Sequence, residues 1–328
     1  MSIRAVVAGT GMAVPDNIVT NDDLAKIVDT NDEWIRQRTG IGERRICREG
    51  ETGSQLATTA LTNALGKAKL GPDDLDMIIC ATVSPDYIFP SNACLIQDAI
   101  GAKRAGAFDL GAACAGFIYA TSVAGSMIEA GRAKHVAVVG VDTLSKHVDW
   151  SDRGTCVLFG DGAGAVILTG QENTDRGILH TEMLSDGGGA CHILIEAGGS
   201  KYPMSSANSA GHNPKIYMAG SEVYRFAVGA MGDACQRVLD NVGLKSEDIS
   251  LFVPHQANIR IIESAAKRLE LPPEKVFINV DRYGNTSAGS IPIGLYEASE
   301  SGRLEPGDLV MTVGFGAGLV WGANLIRW

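Results

Sequence analysis

The feature that most constrains the fold of this chain is an internal repeat at an offset of about half its length. Each copy contains a helical pattern, an acidic turn, a buried strand and a small-residue segment that leads into an apolar helix. Three pairs of segments match in the same order: 70–79 with 244–253, 114–116 with 287–289, and 129–132 with 300–303. Because chance similarity of short segments would not keep both order and spacing, we interpret the chain as a tandem duplication.

The alternation of apolar strand runs with helical patterns predicts an α/β fold with mostly parallel sheets covered by helices on both faces. The predicted halves are residues 1–170 and 171–328, each large enough to bury its own core. Ligands of such sheets bind beyond the carboxyl ends of the strands. We therefore expect one site, built from both halves, where their strand ends meet.

Composition excludes several classes of protein. A net charge of −10 disfavours nucleic-acid binding, and seven scattered cysteines without a C-x-x-C pair argue against a disulfide framework or structural zinc. Residues 1–15 fit neither a signal peptide nor a membrane span, so we expect a soluble protein of the reducing cytoplasm. Two glycine runs do not fit a nucleotide-binding motif. Residues 9–14 lack the third glycine of a dinucleotide fingerprint, and residues 159–164 lead into a strand rather than a helix. No metal-ligand spacing is present, and we expect neither metal nor cofactor.

Cys114 is the strongest candidate for a nucleophile. It lies where a strand gives way to small residues and then to an apolar helix. The positive end of a helix favours a thiolate, and the small neighbours leave room for a substrate. By contrast, Cys80, Cys156 and Cys235 lie within apolar patterns and are more typical of core residues.

Two polar residues in the second half are candidate partners of Cys114. His255 follows a buried strand and the strand-ending Pro254, which is compatible with a general base or an oxyanion donor. Asn285 lies in the counterpart of the Cys114 segment, although a Gly-Asn pair is also ordinary turn chemistry. The segment 314–318 is either a tight turn between strands or a source of backbone N–H groups for an oxyanion hole.

The motifs around Cys114, His255 and Asn285 together resemble those of the β-ketoacyl-acyl-carrier-protein synthase III family of thiolase-like condensing enzymes. The resemblance covers almost the whole chain. It implies a homodimer of five-layered αβαβα subunits that starts type II fatty-acid synthesis. The implied substrates are an acyl-CoA primer, acetyl-CoA above all, and malonyl-acyl-carrier protein. The implied reaction is a decarboxylative Claisen condensation through an acyl-Cys114 thioester, with His255 and Asn285 stabilising the enolate.

The resemblance also implies roles for further residues. The backbone N–H groups of Cys114 and Ala317 would form the oxyanion hole. The remaining groups would bind CoA (Trp34, Arg38, Arg153 and Asn258), line the acyl pocket (Phe89, from across the dimer, and Phe315) and dock the acidic carrier protein (Arg225, Arg260, Lys267 and Arg268). Without the resemblance, Trp34 is more typical of a residue that packs a helix. The four basic residues are more typical of a solvated helix face.

Other readings of the sequence remain open. A secondary-metabolism relative could use the same three residues with another primer or acceptor, and a non-catalytic dimer partner could only shape a pocket. Ser221 stands where many relatives have Asn, and the Gly- and Ser-rich segment 187–214 could reshape the entrance.

Overall fold

The computed structural model describes residues 3–328. Its strands are β1 (Ile3–Ala13), β2 (Ile18–Thr20), β3 (Glu43–Arg45), β4 (Met77–Ala81), β5 (Gly106–Leu110), β6 (His135–Asp142), β7 (Gly162–Glu172), β8 (Gly177–Ser185), β9 (Ile193–Ile195), β10 (Ile216–Met218), β11 (Leu251–Pro254), β12 (Leu309–Gly316) and β13 (Val320–Arg327). Its helices are α1 (Asn21–Leu24), α2 (Asp32–Thr39), α3 (Gly53–Ala68), α4 (Asn92–Ile100), α5 (Gly116–Glu129), α6 (Gly220–Val242), α7 (Ile259–Arg268), α8 (Val280–Tyr283) and α9 (Ser290–Glu300).

The two large sheets repeat one topology, which confirms the duplication. The first sheet has the order β1-β7-β6-β4-β5, and the second has the order β8-β13-β12-β11. In each sheet the first three strands are antiparallel neighbours and the next pair is parallel. An isolated parallel bridge between Phe252 and Val276 occupies the place that β5 has in the first sheet.

The sheets are mixed, but parallel pairs are not the majority that the sequence pattern predicts. Three of the seven strand pairs in the two large sheets are parallel, and four are antiparallel. The antiparallel pairs arise because the last strand of each half, β7 or β13, runs opposite to both of its neighbours and is reached without a crossover α-helix. Apolar runs of this kind do not distinguish the two directions when both faces are covered.

Helices and sheets alternate in five layers, as the family resemblance implies. Helices α3 and α4 cover the outer face of the first sheet, and α6 and α7 cover the outer face of the second. Helices α5 and α9 lie between the sheets, and both contact strands of each sheet. Helix α5 is apolar on nearly all sides because it is enclosed in this way. Within residues 3–328, no helix combines the length and the apolar composition needed to cross a bilayer.

The middle layer gives the two halves a common core. One cluster of buried side chains joins residues of the first half, such as Phe117 and Ile118, to residues of the second, such as Val253 and Ile291. The expectation that each half buries its own core is therefore wrong for this layer. The reason is that α5 and α9 each present apolar surface to both sheets, and so neither half covers its central helix alone.

Candidate active site

Cys114 lies in a short 3-10 turn, Ala113–Ala115, between β5 and α5. The second half has the same turn at Ser287–Gly289, before α9. Ala113 and Ser287 both have a positive φ, 45° and 51°, and they are therefore equivalent positions. It follows that the counterpart of Cys114 is Ala288, one residue away from the match that the sequence indicates.

Close backbone contacts support this correction. A Cβ added to Gly140 of β6 would lie 2.1 Å from the carbonyl oxygen of Ala288. In the second half, a Cβ added to Gly314 of β12 would lie 3.3 Å from the carbonyl oxygen of Cys114. Each turn thus packs against a glycine of the other half's sheet, because a side chain there would collide with it.

The thiol of Cys114 is surrounded by protein except where it opens onto a cavity. Its Sγ lies 3.2 Å from Oγ of Ser287, which comes from the other half. Burial raises the pKa of Cys114 to about 12, against a smaller lowering by the Ser287 hydroxyl. The turn does place Cys114 next to the start of α5, as predicted, but burial opposes the thiolate that this position favours. The thiol is therefore protonated near neutral pH in this structure.

The cavity at Cys114 has a volume of about 410 Å³ and a lining that is mainly apolar. Predicted site residues from both halves lie along it: Cys114, Asn258, Asn285, Phe315 and Ala317. Its apolar wall includes Ile193–Ile195 (β9), within the Gly- and Ser-rich segment, so that segment does shape the site. Ser221 is exposed at the start of α6 and does not line the cavity, whereas Gly220 and Tyr224 do.

Asn285 is fixed at the cavity wall by its backbone and its side chain. Its backbone N–H donates to the carbonyl of Leu158 at 2.8 Å, and its carbonyl accepts from the N–H of Gly160 at 3.0 Å. Its Oδ1 accepts from the backbone N–H of Ser287 at 2.9 Å. Because Oδ1 is engaged in this way, Nδ2 is the end of the amide that can donate to a group in the cavity.

His255 lies at the carboxyl end of β11, behind the cavity wall. It is 1% exposed, its backbone N–H donates to Val313 at 2.8 Å, and its ring packs edge to face against Phe315 at 5.6 Å between centroids. Burial lowers the pKa of His255 to about 3, so the imidazole is neutral at physiological pH. Its Nδ1 is buried and has no partner among residues 3–328. A neutral ring has one N–H to donate, which suits a hydrogen-bond donor rather than a cationic acid.

The segment that carries Ala317 passes close to the turn of Cys114. A Cβ added to Gly316 would lie only 2.6 Å from the backbone nitrogen of Cys114, so the segment carrying Ala317 passes directly over the nucleophile's turn. No backbone hydrogen bond of the described turns and loops uses the N–H of Cys114 or of Ala317. Neither N–H is therefore committed to a backbone carbonyl in these segments, which is compatible with the predicted oxyanion hole.

A second pocket of about 380 Å³ lies outside the first and contains the predicted CoA-binding residues. The guanidinium carbons of Arg38 and Arg153 lie 5.2 and 4.9 Å from the centre of the Trp34 ring. Asn258 donates from Nδ2 to the carbonyl of Arg38 at 3.0 Å and so joins α7 to α2. The two pockets share four lining residues (Leu158, Gly220, Tyr224 and Asn258), and together they form a path from the surface to Cys114.

The two predicted acyl-pocket residues are in different places. Phe315 is buried and lines the cavity, whereas Phe89 is 84% exposed and does not line the cavity of its own chain. Tyr87 and Ile88 beside it are also exposed, at 59% and 87%.

The four basic residues predicted to dock the carrier protein differ in their surroundings. Arg225 is paired with Glu222 on α6, and Arg268 is paired with Asp233. Arg260 lines the outer pocket and donates to the carbonyl of Gln37 at 2.7 Å. Lys267 is exposed two helical turns further along α7. Spacing along one helix does not reveal partners on other helices, and two of the four residues, Arg225 and Arg268, are paired with carboxylates.

Ser287 was not among the predicted site residues, although its hydroxyl contacts the thiol and its backbone N–H holds Oδ1 of Asn285. The signal for it was present, since the repeat matched its segment to that of Cys114.

Comparisons with known proteins agree with this geometry. The family model described as 3-oxoacyl-[acyl-carrier-protein (ACP)] synthase III matches residues 108–187, and the model of its C-terminal part matches residues 239–328. A relative from Symbiobacterium thermophilum, named beta-ketoacyl-[acyl-carrier-protein] synthase III, is 52% identical over 100% of this chain and 99% of its own length.

Two solved structures have the same fold over the whole chain. The 3-oxoacyl-[acyl-carrier-protein] synthase III from Aquifex aeolicus superposes with a TM-score of 0.91 at 48% identity, covering 99% of this chain and 100% of that one. The priming beta-ketosynthase of the R1128 polyketide pathway gives 0.92 at 34% identity, covering 98% and 96%. With the Cys114 cavity and this similarity along its full length, the chain belongs to the β-ketoacyl-[acyl-carrier-protein] synthase III family of condensing enzymes.

Proposed function

We propose that this enzyme condenses an acyl-CoA primer with malonyl-acyl-carrier protein and so starts fatty-acid synthesis. The observation that carries the proposal is the position of Cys114. Its thiol faces an apolar cavity together with Asn285, Ser287 and the backbone of Ala317, and a path lined by Trp34 leads from it to the surface. A thioester substrate can enter along this path with its carbonyl carbon first.

In the first stage, Cys114 attacks the carbonyl carbon of the primer. The sulfur forms a new thioester bond, the bond to the CoA sulfur breaks, and the thiol proton leaves with CoA. Negative charge develops on the carbonyl oxygen during the attack, and the backbone N–H groups of Cys114 and Ala317 donate hydrogen bonds to that oxygen.

In the second stage, malonyl-acyl-carrier protein loses CO2, and the electron pair of the broken bond forms an enolate. N–H donors of His255 and Asn285 stabilise the enolate oxygen, and the enolate carbon attacks the acyl-Cys114 carbonyl. The bond between the acyl carbon and Sγ of Cys114 then breaks, and the leaving thiolate takes a proton from solvent. The products are 3-oxoacyl-acyl-carrier protein, CO2 and the regenerated thiol. This scheme requires neither a carboxylate base nor a cofactor, because loss of CO2 replaces deprotonation.

Trp34 serves primer binding in this proposal and takes no part in the chemistry. We expect Trp34→Ala to weaken binding of the CoA primer by roughly 5- to 150-fold, the effect of losing about 1–3 kcal/mol of stacking. Enzyme that is already acylated should still condense at its normal rate. The measurement is the KM for acyl-CoA beside single-turnover condensation, with Trp34→Phe as the variant that keeps an aromatic ring. Unchanged primer affinity would make Trp34 a packing residue.

Carrier-protein docking is assigned to the α7 face, with Lys267 as its most informative residue. Arg260 lines the outer pocket, so its substitution would disturb the CoA path as well. We expect Lys267→Glu to raise the KM for malonyl-acyl-carrier protein roughly fivefold, the factor that about 1 kcal/mol represents. Acylation from acyl-CoA should be unaffected.

The matched control is Lys245→Glu. It makes the same charge change at an exposed residue of the turn before β11, at the opposite end of that strand from the site. An equal rise in KM from both variants would indicate a general charge effect, and equal loss in both half-reactions would argue against docking on α7.

A second copy of this chain is the proposed partner of the exposed segment Tyr87, Ile88 and Phe89. Three adjacent large apolar side chains in solvent are unusual for a surface loop and typical of an interface. In a homodimer, Phe89 would close the acyl pocket of the partner.

A second candidate function is priming of polyketide synthesis. It is favoured by the 34% identity and full-length superposition with the R1128 priming ketosynthase. We propose acetyl-CoA as the preferred primer of this chain. A clear preference for a longer, branched or aromatic acyl-CoA would favour the second candidate.

The deciding experiment follows both half-reactions with a panel of acyl-CoA primers. Mass spectrometry after incubation with acyl-CoA should show one acyl group, located on Cys114, and addition of malonyl-acyl-carrier protein should convert it to 3-oxoacyl product. A chain that gains no acyl group from any primer would be a non-catalytic partner.

A further inference from the structure

Gln256 follows His255 in the chain and is one of the most completely hydrogen-bonded side chains of the second half. It is 1% exposed. Its Nε2 donates to the carbonyls of Pro254 and Phe277 at 3.0 and 3.1 Å. Its Oε1 accepts from the backbone N–H groups of Asn279 and Val280 at 3.0 and 3.1 Å. The amide thus uses both donors and both acceptor positions, and only one orientation of it satisfies all four partners.

These partners lie on the segments that carry His255 and Asn285. Pro254 precedes His255, so one bond fixes the chain just before the ring. Asn279 and Val280 begin α8, and that four-residue helix ends just before Asn285. Asn279 makes no side-chain cap of α8, so Oε1 of Gln256 satisfies these first N–H groups instead.

A fifth bond connects the same residue to the start of α9, which follows the turn that faces Cys114. The backbone N–H of Gln256 donates to Oγ of Ser290 at 2.7 Å, at the start of α9. The preceding turn contains Ser287, whose hydroxyl contacts the thiol. A single buried residue therefore joins the loop of His255, the helix before Asn285 and the turn facing Cys114.

We infer that Gln256 is a positioning residue that keeps the donors of His255 and Asn285 at one fixed separation for the enolate step. The inference rests on the roles proposed above for these two residues. Two donors stabilise one oxygen only if both lie within hydrogen-bond distance of it, and a misplacement of about 1 Å costs on the order of 10²-fold in rate. No other uncharged side chain of this length offers two donors and two acceptors.

The decisive variant is Gln256→Glu, which keeps the shape and replaces two donors by an acceptor oxygen. At pH 8 the carboxylate would face the carbonyls of Pro254 and Phe277, and the loop should shift. We expect release of CO2 from malonyl-acyl-carrier protein to slow by about 10²-fold in single turnover. Acylation of Cys114 should stay within about twofold of the native rate, because Gln256 touches none of the groups used in that step.

The pH dependence distinguishes this role from general damage. Burial and the two facing carbonyls favour the protonated carboxyl, which can donate one hydrogen bond. The rate of decarboxylation relative to the native enzyme should therefore recover as pH falls from 8 to 6. A variant that is merely loosened would show no such recovery.

The matched control is Gln97→Glu on α4. Gln97 also donates from Nε2 to a backbone carbonyl, that of Ala102, but it does not line the Cys114 cavity. Its variant should leave the ratio of the two half-reactions unchanged at every pH. If Gln256→Glu fails to fold, Ser290→Ala replaces it, because it removes only the acceptor of the Gln256 N–H. That variant should slow decarboxylation by about threefold to tenfold and spare acylation.

Equal loss of both half-reactions, or native decarboxylation at all pH values, would overturn the inference in either variant. Failure of this inference can be distinguished from failure of the proposed function. If His255→Ala and Asn285→Ala keep normal decarboxylation, the proposed roles are wrong. If those two variants lose it while Gln256→Glu does not, only the positioning role of Gln256 is wrong.

Discussion

Replacing Cys114 by Ser is expected to abolish the acyl-enzyme, a loss on the order of 10⁴-fold or more in acylation rate. The substitution changes one atom, so the cavity and its walls should persist. A hydroxyl is a far weaker nucleophile than a thiol unless a strong base adjoins it, and among residues 3–328 the one hydrogen-bond partner of Sγ is the hydroxyl of Ser287. The measurement is single-turnover transfer from acyl-CoA, followed by mass spectrometry of the intact chain.

The pKa of Cys114 adds a pH signature to the native enzyme. Since burial raises this pKa to about 12, the thiolate fraction should grow about tenfold for each pH unit across the range from 6 to 9. Alkylation of Cys114 by a small uncharged reagent should rise accordingly, without a plateau near neutral pH.

Cys94→Ser, at an exposed thiol, is the control for Cys114→Ser and should acylate normally. Full acylation of Cys114→Ser would place the nucleophile elsewhere.

Substitutions of His255 and Asn285 are expected to fail at the later step. His255→Ala and Asn285→Ala should acquire the acyl group but slow decarboxylation and condensation by roughly 10²–10³-fold each, as when one oxyanion donor is lost. The two half-reactions are separated by measuring single-turnover acylation beside release of labelled CO2. Because burial holds the pKa of His255 at about 3, the native decarboxylation rate should show no inflection from this ring between pH 5 and 8.

The double variant tests whether both donors serve the same oxygen. Its loss should be smaller than the product of the two single losses, since removing one donor already leaves the other poorly used. Acylation that fails in Asn285→Ala while decarboxylation survives would move Asn285 to the positioning of Cys114.

The repeat in the sequence was enough to predict two similar α/β halves and a site shared between them, because such sheets bind ligands beyond the carboxyl ends of their strands. The five layers were implied by the family resemblance. The repeat did not predict correctly which residues of the two halves are structurally equivalent. Matching Cys114 to Ser287 aligned similar side chains, whereas the backbone aligns Cys114 with Ala288 through the positive φ of the preceding residue. Side-chain similarity carries little information about φ outside glycine.

Electrostatics was the least predictable part of the site. The position of Cys114 at a helix start was visible in the sequence, but its burial depends on Ser287 and the segment of Gly316, which arrive from the other half. The basic residues of α7 likewise looked like one cluster until the structure placed Asp233 and Gln37 beside two of them. Such contacts between distant segments determine the pKa of a buried group and the net charge of a surface patch, and local sequence patterns do not reveal them.

The common core of the middle layer has a consequence for how the enzyme is made. A ribosome releases the first half before the second, and strands β1, β4, β5, β6 and β7 can pair as soon as residue 172 has emerged. Helix α5 then still presents to solvent the apolar surface that the second sheet will cover. The nascent chain is therefore exposed to aggregation until the strands near its carboxyl terminus are in place. A truncated product would be a target for proteases and chaperones, and not a half-active enzyme.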